Sequence, residues 1–181
     1  MEGDWIVPAP LVKVAAGAIL WFFLAPAVVA GVVPWRISGW RFEEPLLGWA
    51  PLRGLGAFLV AAAVPVLVDA FVRFVREGRG TPAPYQPTRH LVVSGPYRYV
   101  RNPMYIAAVA TILGQALLFG SSGLLAYAVG VAAVFHLWVW LYEEPWLRQR
   151  YGAQYERYCR EVRRWWPRLS SYDPGTARGL E

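Results

Sequence analysis

Four long stretches of this chain carry almost no charge, and a soluble fold of 181 residues has too little polar surface to cover them all. They are Leu11–Val33, broken only by Lys13; about Leu55 to Phe74, which contains Asp69 and Arg73; Pro103–Phe119; and Leu124–Tyr142. Each approaches the roughly 20 residues with which a helix crosses about 30 Å of hydrocarbon. Charged residues make up 17% of the chain, against about 25% in an ordinary soluble domain. Ten Trp, ten Tyr and eight Phe fill the deficit. The expected fold is all-α: a polytopic membrane bundle of about four transmembrane helices, with a C-terminal amphipathic helix lying in the interface. A lone Cys159 excludes a disulfide scaffold, and without a CxxC or Cys/His cluster no thiolate metal site is expected.

The first stretch lacks a basic leader and is followed by further spans, so it reads as a span rather than a cleaved signal. Arginines set the orientation. Arg73, Arg76, Arg79, Arg89, Arg98 and Arg101 precede the third stretch against only Glu77, and seven more follow the fourth between Arg148 and Arg168. An inner-membrane protein with both termini and the long middle segment in the cytoplasm satisfies that pattern. The chain then divides into an N-terminal transmembrane hairpin (1–76), a core (77–168) and a tail (169–181). Gly78–Gly95 is too rich in Gly and Pro for a regular helix, and reads either as a linker or as an extended strap through Leu91-Val92-Val93. Leu147, Tyr151, Tyr155, Tyr158, Val162 and Trp165 recur at helical spacing, with arginines opposite, which predicts one basic aromatic helix in the headgroup layer, ended by Pro167. No nucleic-acid module accompanies the net charge of +6, so membrane lipids rather than nucleic acid are the expected partners.

Two clusters can carry chemistry. Gly95-Pro96-Tyr97-Arg98-Tyr99-Val100-Arg101-Asn102-Pro103-Met104-Tyr105 stands at the mouth of the third stretch; it is either an interfacial belt or a site. Tyr142-Glu143-Glu144-Pro145-Trp146 closes the fourth. Paired carboxylates at a helix C-terminus repel each other and oppose the helix dipole. His136, Trp140 and Glu143 stand at i, i+4 and i+7, one helical face leading from an imidazole to a carboxylate, and ionisable groups within spans mark a site or a polar contact. Glu143, His136 and Arg101 are the candidate catalytic groups. Asp69 and Arg73 are placed for an internal ion pair, Gln115 for holding helices together, and Glu43-Glu44-Pro45 on the opposite side of the membrane. Cys159 has no nucleophile-like partner.

Taken together, HLVVSGPYRYVRNPMY and LYEEPWLRQRYGAQYERYCREVRRWWPR resemble the integral-membrane methyltransferases of the isoprenylcysteine carboxyl methyltransferase and phospholipid N-methyltransferase superfamily, over about Pro82 to Arg168. The resemblance implies S-adenosylmethionine as donor and a lipophilic acceptor, a carboxylate or an amine, entering sideways from the bilayer. Carried over position by position, it places the donor among His90, Leu91, Val92, Gly95, Tyr97, Asn102, Pro103, Tyr105, Glu143 and Glu144. Carboxyl methyltransferases usually read Arg-His-Pro where this chain has Arg101-Asn102-Pro103, and eukaryotic members carry an arginine where this chain has Val139. Asn-Pro-Met-Tyr and Leu-Tyr-Glu-Glu-Pro are closer to the phospholipid enzymes. A non-catalytic membrane scaffold or lipid-binding protein, and a related membrane reductase or isomerase, are the competing readings.

Overall fold

The computed structural model describes residues 23–78 and 91–173. Among them every regular element is helical, and there is no strand. A π-wound stretch, Phe23–Val32, runs without a break into α1 (Val33–Ser38). A loop with a single 3-10 turn at Leu46–Gly48 leads to α2 (Pro51–Gly78). After the undescribed segment 79–90 come a 3-10 turn at Gly95–Arg98 and α3 (Pro103–Phe119). A tight turn gives α4 (Ser122–Trp138), which passes through a π turn, Val139–Glu143, into α5 (Glu144–Tyr151); α6 (Ala153–Glu161) follows.

Two helical runs are long and apolar enough to cross a bilayer: Pro51–Arg73 within α2, and the continuous Ser122–Tyr151. The third, α3, is apolar but has 17 residues, about 25 Å at 1.5 Å per residue, somewhat less than the hydrocarbon thickness. Among the described residues, the expected four spans are represented by two helices of spanning length and one shorter apolar helix. Most of the expected first span, Leu11–Val33, lies outside the described residues.

Helices in lipid gain little from burying apolar surface, so close packing decides which of them pair. α2 and α3 meet through small residues: Ala63 and Leu67 pack on Ala107 and Ala108, and Gly56 lies directly against Gly114 and Leu118. Gln115 holds the layers together as expected, accepting from Trp40 Nε1 (3.0 Å) and donating to the Ala30 carbonyl (2.7 Å). Asp69 and Arg73 form the expected ion pair at 2.9 Å.

The far end of α3 is closed by Gly120 at φ +78°, and Ser121 caps α4 by accepting from Leu124 N–H. The backbone N–H of Glu43 donates to the Phe119 carbonyl (2.8 Å), which puts Glu43-Glu44 at the opposite end of α3 from Asn102. A Cβ on Gly120 would collide with the Glu44 carbonyl oxygen. Gly120→Ala is therefore expected to destabilise the fold by at least about 1–3 kcal/mol from backbone conformation alone, read as a lowered Tm in detergent.

The C-terminal part departs from the expectation of one helix. Gly152, at φ +50° and ψ −127°, breaks it into α5 and α6, and α6 ends at Glu161, with Val162 extended. The aromatic stripe also turns inward. Tyr155, Tyr158 and Val162 are buried with Tyr172, and Leu91, Val93, Leu147, Tyr151 and Cys159 pack around them. Protein thus covers the face that the pattern assigned to headgroups. A buried stripe and a lipid-facing stripe have the same periodicity, so spacing alone does not separate them.

Candidate active site

The site is assembled where the mouth of α3 meets the end of the α4–α5 run. Pro96 and Pro103 restrict the backbone on either side of the first cluster. Pro96 sits in the first turn of the 3-10 segment and Pro103 opens α3, where a missing N–H costs nothing. Gly95 has φ +52° and lies against the Arg73 side chain, so α2 and the cluster approach closely there. Tyr97 is buried with Ala70 and Val92, beside Met104. Its hydroxyl donates to the Ala70 carbonyl (3.4 Å), and its own carbonyl accepts from Tyr158 Oη (2.6 Å).

The segment after α6 runs back along this cluster. Arg101 N–H donates to the Arg163 carbonyl (3.0 Å), Arg168 N–H to the Tyr99 carbonyl (2.9 Å), and Tyr172 N–H to the Arg98 carbonyl (2.9 Å). Asn102 is buried, and its Nδ2 donates to the Arg164 carbonyl (3.2 Å). Tyr97 and Asn102 therefore spend these polar atoms inside the protein, shaping the wall of the site.

The paired glutamates have different surroundings. Tyr105 Oη donates to Glu143 Oε2 at 2.8 Å, and the Tyr105 ring packs on Phe135, 4.7 Å between centroids. Glu143 is half-buried. Glu144 is only 2% exposed and faces arginines. Arg164 grips both of its oxygens, Nε to Oε1 at 2.6 Å and Nη2 to Oε2 at 2.7 Å. Arg101 Nη1 is 3.2 Å from Oε1, and Arg148 Nη2 is 3.9 Å from Oε2. The hydrogen bond to Glu144 pushes the Arg164 pKa further up, so its charge is permanent. Burial likewise raises the Tyr155 and Tyr158 phenols, keeping both neutral hydrogen-bonding groups.

The other expected site residues are distributed as follows. His136 is exposed on α4, and its Nδ1 accepts from Trp165 Nε1 at 3.0 Å. The π turn between them spoils the simple face from His136 to Glu143, because π bonds close five residues back rather than four. The added residue moves the position in line with His136 towards Glu144. The adjacent residues Arg164 and Trp165 reach Glu144 and His136 respectively. Val92 faces the bundle with Tyr97, whereas Leu91 and Val93 face the C-terminal lobe, the alternation expected of extended chain. Leu91 and Val93 line a cavity of about 250 Å³ with Gln154, Arg157, Tyr158 and Tyr172. His90 lies outside the described residues.

Sequence reasoning missed Arg148, Arg164 and Trp165. Arg148 is four residues after Glu144, a spacing that signals a helical ion pair. No local pattern marks Arg164, which lies 20 residues away across a helix break.

A family model described as phospholipid methyltransferase matches residues 52–154 of the chain. It spans α2 through α5 and so includes the Gly95–Tyr105 cluster and both glutamates. No curated protein and no solved structure matches.

Proposed function

We propose that this chain, which belongs to the phospholipid methyltransferase family, is a membrane methyltransferase that uses S-adenosylmethionine to methylate the amine head group of a lipid. The observation that carries this reading is the Tyr105–Glu143 pair. It brings together two motifs 38 residues apart in sequence and places a carboxylate beside apolar surface at the end of a span. Tyr105 occupies Oε2, and among the described residues Oε1 has no partner, which leaves it for a ligand.

The residues present fit the donor by their chemistry. Glu143 offers an anion for a cationic ligand, and mutual pairing offsets the desolvation of both charges. Leu91 and Val93 offer apolar surface. When bound, the donor supplies an electrophilic methyl group and leaves as a neutral thioether. The protein's part is alignment, since a direct displacement gains most from holding nucleophile, carbon and leaving group in line. An amine acceptor arrives protonated and must lose that proton before its lone pair can attack; Glu143 Oε1, which keeps a second lone-pair position beside the one facing the donor, is the group that takes it. Val139, which stands where a carboxylate-binding arginine would be expected, is apolar and buried, and this supports an amine over a carboxylate. The acceptor enters at the cytoplasmic border with its acyl chains left in lipid.

The test is a titration of the purified protein with S-adenosylhomocysteine, together with incubation of membranes with methyl-labelled donor. Saturable binding and base-stable label on lipid are expected. Glu44→Gln, at the opposite end of α3, should leave both unchanged within about twofold. Absence of saturable binding sinks the reading, and base-labile label replaces the amine by a carboxylate.

A further inference from the structure

We infer that the two glutamates have separate duties: Glu144 anchors a clasp, and Arg164 and Trp165 are positioning residues that hold the methyl-transfer site in shape. This rests on the reading of Glu143 given above.

Glu144 is already saturated. Both of its oxygens are held in a fork by Arg164, Arg101 adds a third contact, and Arg148 stands at 3.9 Å. A carboxylate presents about four lone-pair positions, and a planar guanidinium is the partner that fits two of them at once. Bringing a further ammonium to this buried group would add a fourth cation around one anion. Among the described residues Glu143 has no such crowd, with Tyr105 as its hydrogen-bond partner.

The residue that grips Glu144 also shapes the site. The Arg164 carbonyl receives Asn102 Nδ2, and the Arg163 carbonyl receives Arg101 N–H. Asn102 immediately precedes α3, and Tyr105 stands one turn later. Position is therefore passed from Arg164 through Asn102 to Tyr105 and on to Glu143. Trp165 adds a second fastening, its indole N–H on His136 Nδ1 with the rings 5.9 Å apart. Two consecutive residues thus hold the helix on both sides of the π turn, with His136 before it and Glu144 after it. Without that hold, the turn on which Glu143 sits would be free to relax, and the carboxylate would lose its aim.

The experiment uses the full chain in detergent, with S-adenosylhomocysteine affinity and tryptic cleavage within Arg163–Arg168 as readouts. Glu144→Gln and Arg164→Ala should each weaken the affinity about tenfold, and the double variant should be no weaker than the worse single, since both remove one coupling. Arg164→Lys should recover part of the loss, because an ammonium keeps the charge but not the fork. Trp165→Phe should weaken affinity about threefold at unchanged Tm, which a purely structural role would not do. Glu144→Gln should speed cleavage about tenfold, whereas Glu143→Gln should leave it unchanged. Additive losses in the double variant, or unchanged cleavage in Glu144→Gln, overturn the clasp. If the wild-type protein binds no S-adenosylhomocysteine, the functional reading falls, and the cleavage comparison still decides the clasp.

Discussion

Glu143→Gln should lower kcat/KM for methyl transfer by about two to three orders of magnitude, the usual effect of losing a positioned base, while leaving Tm within about 2 °C of wild type. The substitution keeps the shape and the acceptor oxygen for Tyr105, whose 2.8 Å hydrogen bond anchors the side chain. What it removes is the negative charge and the ability to accept a proton. Donor binding should also weaken, since a neutral amide offers no partner for an ammonium. Tyr105→Phe leaves the carboxylate charged but unaimed, and a loss of about tenfold is expected. The check is initial rate against labelled donor in membranes, with protein amount and thermal stability measured on the same preparations. A rate within threefold of wild type would remove Glu143 from the chemistry. The functional proposal would then need another acceptor for the amine proton.

Gly56→Val should damage the packing of α2 on α3 severely, costing about 3 kcal/mol, the upper part of the usual range for overpacking. A Cβ at this position comes 2.5 Å from the Leu118 backbone nitrogen and 2.6 Å from the Gly114 carbonyl oxygen. Backbone atoms inside a helix cannot swing aside as a side-chain tip can, so α2 and α3 must separate. Separation undoes the Ala63, Leu67, Ala107 and Ala108 contacts below and tilts the mouth of α3, where the site is built. Gly54→Ala is the control from the same helix. A Cβ there meets nothing within 4 Å, and replacing Gly by Ala in a helix favours the helix by up to about 1 kcal/mol. Opposite signs for two glycines two residues apart would be read as thermal unfolding with the two proteins side by side. Equal effects would mean that α2 and α3 do not meet at Gly56.

Much of the framework was legible because it depends on local pattern. The third charge-poor stretch coincides with α3, Pro103–Phe119, because Pro103 and Gly120 mark its ends in the sequence. Gln115 and the Asp69–Arg73 pair behave as their positions within apolar helices imply. The convergence of Tyr105 with Glu143 was expected only through resemblance, since 38 residues separate them. Three things were hidden, each for its own reason. The π turn at Val139–Glu143 leaves no mark in hydropathy, so counting in steps of 3.6 runs straight through it. Gly152 looks tolerable inside a helical pattern, yet its left-handed φ ends one helix and starts another. Tyr155, Tyr158 and Val162 keep the same spacing whether they face headgroups or Leu91 and Val93, and only the folded neighbours decide.

The wide separation of Glu144 from Arg164 along the chain has a consequence for the order of folding. The Glu144–Arg148 pair lies within one helix and can form as soon as that helix winds, whereas Arg164 reaches Glu144 only once the chain has turned back at Gly152. Until then the carboxylate has Arg148, one turn on, as its escort. The fork from Arg164 closes afterwards and draws the group out of water. The contact that crosses the helix break is thus the last to form, and a chain cut after Tyr151 would keep the long apolar helix and lose the fork.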